Sequence, residues 1–599
     1  MRYGFPEKAA RELRFYEGLF RLLRRIRVAT PGSDRTVADL IERQAARTPE
    51  RPAIFFEDRV VTFAEWERAA NEVAHWALEL GVRSGDAVAL LMENRPEFLF
   101  VWAGLAKIGA VTALLNATQT GKALAHSISI SGARHLILGC ELGAAYQSAA
   151  PFLVQTPAVW TAGGSLAGTE SLDPRLAAAP AQPIGREARA GLKGRDPCFL
   201  VYTSGTTGLP KAARISHARV FMMMNAFSAL AKASAASRMY IPLPLYHTSG
   251  GICAIGAVLT VGGAVVLKRK FSVQNFWDDC ARTGATHFIY IGELCRYLLN
   301  APPHALERAH KLQAAIGNGL RPEIWMPFKE RFAIPRIVEF YGATEGNVSL
   351  FNFDGRPGAV GRIPPFMKRA FHMRLIAFDV VAGVPIRDAA GRCRECRPGE
   401  IGEAIGRISD TATRARFEGY TAAGDTQKKI LAGVFQSGDR WFRTGDLLRQ
   451  DAQGYFYFVD RIGDTFRWKG ENVATSEVAE ALSLVPGIGE ANVYGVAIPG
   501  LEGRAGMAAL TVNGELDLDL LADRLVAALA PYARPVFLRV TGEMDATATF
   551  KHKKVDLARE GFDPAATRDA LYFRDPEAGR YLPLDAERYR AIVAGRVRL

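Results

Sequence analysis

The sequence predicts an α/β protein with a large N-terminal domain and a smaller C-terminal one, and three observations predict it. Segments with helical spacing alternate with short, wholly apolar runs, the pattern of a mostly parallel sheet covered on both faces. At 599 residues the chain is about four times a typical domain length of ~150, so it holds more than one core and has room for a large buried site. The aromatic run Tyr455–Val459 breaks into the charged turn Asp460–Gly463, which is the best boundary candidate.

In chain order, residues 1–30 come first, with eight basic residues against three acids, a local charge of +5. Leu13, Tyr16, Phe20 and Leu23 fall on helical spacing within them. A basic amphipathic helix either lies on anionic lipid or packs its stripe on the domain behind it. Thr62 and Glu65 have capping-box spacing ahead of a helix over Phe63–Leu80, Gly81 stops it, and Ala87–Met92 is a short strand. Phe98–Ala110 and Val111–Leu115 repeat the rhythm. Between Gly143 and Gly194 the chain turns rich in Ala, Pro, Gly and Ser and reads largely as a long surface connection. The uncharged stretch Met239–Leu267 is long enough on count to cross a bilayer. Pro242, Pro244, His247 and five glycines make it a loop, a buried helix and a core strand instead.

The composition excludes several classes. With 49% apolar, 10% aromatic and 23% charged residues, the chain is neither disordered nor fibrous. Lys and Arg number 75 against 62 acids, a net +13 that favours anionic partners without choosing among nucleotides, nucleic acid and membrane. Seven cysteines, an odd number, argue for a reducing compartment, and no secretory signal is evident, so a cytoplasmic protein is expected. Cys393-Arg394-Glu395-Cys396 has metal spacing, but no second pair follows and Arg397-Pro398-Gly399 makes it a turn.

The strand Cys198–Tyr202 runs into Thr203-Ser204-Gly205-Thr206-Thr207-Gly208-Leu209-Pro210-Lys211. Two glycines permit close backbone approach, the hydroxyls bond oxyanions and a lysine neutralises charge, so the loop suits phosphate. It is not a Walker loop, because Leu209 and Pro210 separate Gly208 from Lys211. Further motifs follow in order: Pro244-Leu245-Tyr246-His247, Gly317-Asn318-Gly319-Leu320-Arg321-Pro322, Tyr341-Gly342-Ala343-Thr344-Glu345-Gly346, Trp441-Phe442-Arg443-Thr444-Gly445-Asp446, Asp460-Arg461 and Thr547-Ala548-Thr549-Phe550-Lys551.

This ordered set resembles the adenylate-forming superfamily of acyl-CoA synthetases, peptide-synthetase adenylation domains and luciferases. Tyr341–Asn347, Asp464–Val473, Gly317–Trp325 and the ending from Phe573 are similar to its fatty-acid transport protein and very-long-chain acyl-CoA synthetase branch. The resemblance implies a multi-sheet AMP-binding and acyl-binding domain over residues 31–460, preceded by the basic segment 1–30. It also implies a small mobile α+β domain over 461–599 that carries the adenylation lysine.

The resemblance also implies roles. Thr203, Ser204, Gly205, Thr206, Thr207, Gly208 and Lys211 hold phosphate, and Gly317 and Asn318 belong to the adenine loop. Tyr341 lies against adenine beside Gly342 and Ala343, Thr344 donates to the α-phosphate, and Glu345 holds Mg²⁺, a hard cation that prefers oxygen ligands. His247 lines the passage to the acyl pocket and orients the carboxylate. Asp446 takes the ribose hydroxyls, Arg461 reaches ribose or phosphate, and Gly463 is a permissive hinge residue. Lys551 bridges the attacking carboxylate and the α-phosphate, and Gly470 leaves room for the pantetheine arm. Ala548 departs from the glycine most relatives carry there. The implied activity is ATP-dependent activation of a long- or very-long-chain fatty acid through an acyl-adenylate, then transfer to coenzyme A. The alternatives are a membrane uptake protein and a CoA ligase for another bulky acid such as a bile acid. ATP, CoA and fatty acid are sufficient partners and nucleic acid is not required. Peripheral membrane contact through residues 1–30 and a homodimer stay open.

Overall fold

The computed structural model describes residues 5–204, 209–380, 382–410, 413–469, 471–501, 503–542, 544 and 554–597. They gather into two compact units. The first takes in Met1–Ile363, Gly406–Ala432 and Asp439–Phe442, the second Pro364–Ile405, Gly433–Gly438 and Arg443–Leu599. The turn at Asp460–Gly463 lies inside the second unit.

Among the described residues the first unit is built on two large sheets. One runs in the order Ser349–Phe351, Arg336–Gly342, Ala314–Asn318, His287–Ile291, Arg238–Ile241, Ala264–Leu267, Pro52–Phe56, Arg59–Thr62. Its six inner strands are parallel and its two edge strands antiparallel. The other runs Glu170–Ser171, Ala158–Ala162, His135–Gly139, Ala87–Leu91, Val111–Leu114, Pro197–Ser204, Pro210–Ser216, parallel except for the last pair. Strands such as Val111–Leu114 and Ala264–Leu267 are buried along their whole length, which is why they read as continuous apolar runs.

The expected signals act as physics requires. The Thr62 hydroxyl accepts from the Glu65 N–H at 3.2 Å and the Glu65 carboxylate accepts from the Thr62 N–H at 2.7 Å, starting the helix Phe63–Glu79. That helix packs on Pro96–Lys107, where Trp66 and Trp102 lie with centroids 6.4 Å apart. Lys107 is wholly buried, and Glu42 and Glu67 accept from its Nζ at 3.0 and 2.6 Å. Met239–Leu267 holds the expected loop, buried helix and core strand, and its first residues belong to the strand Arg238–Ile241; among the described residues no helix is long and apolar enough to cross a membrane.

One expectation is corrected. The stretch from Gly143 to Gly194 contributes the sheet strand Ala158–Ala162, with Trp160 only 5% exposed and edge-on to Trp76 at 5.3 Å. Its small and turn-forming residues mask a five-residue strand that is too short to stand out. Cys393 is buried and Cys396 partly buried, and neither is in a disulfide.

The N-terminal helix Phe5–Ile26 has two apolar sides. The inner side is Phe15, Leu19 and Leu22, with the Phe15 ring edge-on to Phe353 at 6.1 Å. Gly18 lets that ring close in, since a Cβ there would stand 2.5 Å from it. Arg11 pairs with Asp354 at 3.3 Å and Arg362 with Glu12 at 2.7 Å, fixing the helix's rotation. Of the stripe picked out by spacing, Leu13, Tyr16 and Phe20 therefore face away from the core, while Leu23 is partly buried.

The second unit ends in an α+β fold. Its sheet runs Ile488–Val496, Ala505–Val512, Phe537–Val540, Ala570–Arg574, Tyr581–Pro583. Its helices include Thr475–Ser483, Leu518–Ala528 and Ala586–Val593. They share one apolar core whose buried members run from Phe466 to Ile592.

Candidate active site

The phosphate-type motif is the end of a hairpin. Pro197–Ser204 and Pro210–Ser216 pair antiparallel, with Thr203 opposite Lys211 and Ser204 opposite Pro210. Gly205, Thr206, Thr207 and Gly208 lie outside the described residues. A short segment from far along the chain adds to the hairpin's edge. Arg214 N–H donates to the Gly419 carbonyl at 3.0 Å, Thr421 N–H to Ala212 at 2.9 Å, and Ala213 bridges Tyr420.

That addition brings Tyr420 to the centre of a polar cluster. Its hydroxyl donates to Glu345 Oε1 at 2.9 Å, with the Thr203 side chain beside it. Burial, and then the charge of Glu345, pushes the phenol above its usual range, so it stays a neutral donor. Lys429 Nζ lies 3.8 Å from the same carboxylate oxygen. Lys211 pairs with Asp425 at 2.8 Å and stands 5.9 Å from the Tyr420 ring centre. The structure thus joins Thr203, Lys211 and Glu345, which are separated in sequence, through Tyr420.

The turn that carries Glu345 is held from behind. The helix His217–Ala231 begins at Ser216, whose hydroxyl accepts from the Arg219 N–H at 3.3 Å. Arg219, 6% exposed, donates from Nη2 to the carbonyls of Ala343 at 3.3 Å, Thr344 at 2.9 Å and Gly346. Burial pulls its proton affinity down, while Glu418 and Glu345 oppose that. Glu418 in turn accepts from the N–H of Ser216 at 2.7 Å and from its hydroxyl. On the other side Thr344 and Thr248 share a hydroxyl contact at 3.2 Å. Thr248 opens the π-helical stretch Thr248–Ala254 directly after half-buried His247. Gly251 is required there, because a Cβ would lie 1.8 Å from the Leu245 carbonyl oxygen.

The adenine-type loop rests on a buried carboxyl. Glu339, 2% exposed, accepts from Tyr290 Oη at 2.7 Å, Leu320 N–H at 3.0 Å and Gly319 N–H at 3.1 Å. Two residues on, Tyr341 is 8% exposed, while Asn318 and Gly342 are exposed and Gly317 is buried. Burial pushes the Glu339 carboxyl up to about 8 from 4.5. A carboxyl raised by folding contributes stability that is present below pH 4.5 and lost as pH rises through about 8, on the order of a few kcal/mol. Glu339→Gln is therefore expected to flatten the fall of the thermal midpoint between pH 5 and 8.5, read by calorimetry. An unchanged slope would show that another group titrates.

In the second unit, Asp446 and Arg461 face each other across paired strands, with Arg461 Nε 3.5 Å from Asp446 Oδ1. Buried Glu403 accepts from Arg443 Nε and Nη2 at 3.0 and 2.8 Å, fixing the residues before Asp446. Asp460 accepts from the Thr475 N–H at 2.6 Å and hydroxyl at 3.0 Å, anchoring the helix Thr475–Ser483. Gly463 has φ +99°, a conformation that side chains resist. Gly470 and Lys551 lie outside the described residues.

Sequence reading missed Tyr420, Asp425, Arg219 and Glu339. Tyr420 and Asp425 left no local signal, since Tyr420 stands 75 residues from Glu345. The other two did leave one. Arg219 is the one formally charged residue of the helix His217–Ala231, and Glu339 sits in the apolar strand Arg336–Gly342.

Residues 41–376 match the family of AMP-binding enzymes, and residues 477–551 match the AMP-binding enzyme C-terminal domain. The chain is 43% identical over 568 residues to long-chain fatty acid transport protein 1 of Mus musculus, covering 94% of this chain and 88% of that protein. It is 44% identical over 521 residues to long-chain fatty acid transport protein 3 of Homo sapiens, covering 86% and 76%. The anthranilate CoA ligase AuaEII, solved with anthranoyl-AMP, superposes with a TM-score of 0.74 at 23% identity, over 90% of this chain and 99% of that one. A Mycobacterium tuberculosis fatty acyl CoA synthetase gives 0.61 at 23% identity, over 88% and 98%.

Proposed function

The chain belongs to the AMP-binding enzyme family, and from that membership we propose that it is an AMP-forming ligase joining a long- or very-long-chain fatty acid to CoA. The acid and ATP give acyl-adenylate and pyrophosphate, and the CoA thiol then displaces AMP. The cluster of Thr203, Lys211, Tyr420, Glu345 and Thr344 carries this reading. The relatives' printed names support the acyl class.

A carboxylate attacking a phosphate brings two anions together, so the site must cancel charge and fix geometry beforehand. Lys211 and the hydroxyls of Thr203 and Thr344 supply cation and donors. Tyr341 offers a face for adenine, Gly317 and Asn318 its edge, and Asp446 with Arg461 the ribose contacts. His247 orients the incoming carboxylate. Lys551 then stabilises the charge that develops as the bond forms. Residues 461–599 would next turn about Gly463 and present Gly470 to the pantetheine arm. Magnesium, when bound, would neutralise phosphate charge, and Glu345 would hold it. The residues present fit a hard cation that keeps water and phosphate oxygens and takes one or two carboxylates. Among the described residues no cluster of three or more His, Cys, Asp or Glu could hold a metal ion, so no protein cage competes with that arrangement.

Incubation with ATP, Mg²⁺, CoA and a panel of C8 to C24 acids and bile acids is expected to release AMP, with kcat/KM highest for the longer chains. No turnover with any of them would sink the reading. An uptake role at the membrane is the second reading, favoured by the basic helix Phe5–Ile26. Either role suits a cytoplasmic protein with peripheral membrane contact through residues 1–30.

A further inference from the structure

The outward side of the helix Phe5–Ile26 is an exposed apolar surface beside a strong local charge. Leu13 is 72% exposed, Phe20 70% and Tyr16 37%, and their spacing puts them on one line along the helix. Exposed Lys8, Arg14, Arg24 and Arg27 lie on the same helix or just past its end. Exposed Glu7 and Glu17 interrupt this field, Glu17 the less because Arg21 and Lys232 pair with it and hold its carboxyl below the usual range.

We propose that this face docks on an anionic lipid bilayer, Leu13 and Phe20 entering the boundary between head groups and acyl chains while the arginines meet lipid phosphates. The proposal deepens, and rests on, the reading of residues 1–30 as a peripheral contact. Such helices bury their apolar face about 5–10 Å into the interface, and each basic residue near an anionic surface adds attraction. The rotation needed is already set, since Phe15, Leu19, Leu22 and the Arg11–Asp354 pair hold the opposite side against the protein. A second copy of the chain is a poorer occupant. A two-fold contact through this face would bring the arginines of both copies together.

The test is flotation of the full-length protein with vesicles of phosphatidylcholine alone and of phosphatidylcholine with about 30% phosphatidylserine. Binding is expected to the second and at least about tenfold weaker to the first, and to fall at 0.5 M salt because the attraction is screened. Leu13→Ser/Phe20→Ser and Arg14→Glu/Arg24→Glu are each expected to weaken it about tenfold or more. Val154→Ser, at a position 92% exposed elsewhere, is expected to leave it unchanged. All five substituted positions are exposed, and an unchanged melting temperature with retained AMP release on a soluble C8 acid would confirm folding. Failure of the unmodified protein to bind either vesicle overturns the peripheral contact itself. Equal binding to both vesicles, or binding that survives Leu13→Ser/Phe20→Ser, leaves the contact standing and overturns the assigned face and lipid. A concentration-dependent dimer abolished by that double variant, with no vesicle binding, assigns the face to a second copy instead.

Discussion

Arg219→Ala is expected to slow acyl-adenylate formation by about 10²–10³-fold and to lower the melting temperature. The guanidinium is buried and donates to three carbonyls of the turn Ala343–Gly346. Its loss leaves the buried Gly346 acceptor unpaired, at about 1–3 kcal/mol, and the part-buried Ala343 and Thr344 carbonyls at less. Glu418 and Glu345 also lose a neighbouring cation. The turn presents Thr344 and Glu345, and a displacement of about 1 Å can cost roughly 10²-fold in rate. Arg219→Lys keeps the charge without the planar fork, so it should fall between the two. Measuring pyrophosphate release with kcat and the KM for ATP resolved separates geometry from folding. A folded alanine variant within about threefold of the parent rate would falsify the assignment.

Lys551→Ala is expected to lower adenylation by about 10³-fold or more while thioester formation from supplied acyl-adenylate stays within about threefold. The reason is chemical. In the first half-reaction the anionic carboxylate meets the α-phosphate and charge builds on the phosphoryl oxygens, where one preorganised cation is worth roughly 10²–10³-fold or more. In the second half-reaction the phosphate is already leaving as AMP. Equal loss of both halves would assign Lys551 a structural role, and Lys553 or Lys554 would become the candidates. Of these, Lys554 already donates to the Thr475 hydroxyl at 2.7 Å.

Much of the fold was legible because local chemistry and final packing agreed. The Thr62–Glu65 box began its helix, and strands buried on both faces announced themselves by losing all polar alternation. The strand Ala158–Ala162 was hidden by the composition around it, and the rotation of the helix Phe5–Ile26 by its two apolar sides. Spacing alone cannot tell which of two such sides a protein covers; a close-packed ring against Gly18 and an ion pair to Asp354 decide it. The candidate site was legible where it is a contiguous string, as at Tyr341–Gly346. Its supports come from distant segments, and no local pattern could place Tyr420 beside Glu345.

The added segment at Gly419–Thr421 also sets a timetable for synthesis. The first unit is not contiguous, and its phosphate-type hairpin lacks an edge partner until the ribosome has made residues some 200 positions further on. At about 5–20 residues per second that interval is roughly 10–40 s. For that time the Pro210–Ser216 edge is open to pairing with other chains. The nascent protein therefore carries an open sheet edge midway through translation, and slowing elongation over codons 220–420 should lower its soluble yield.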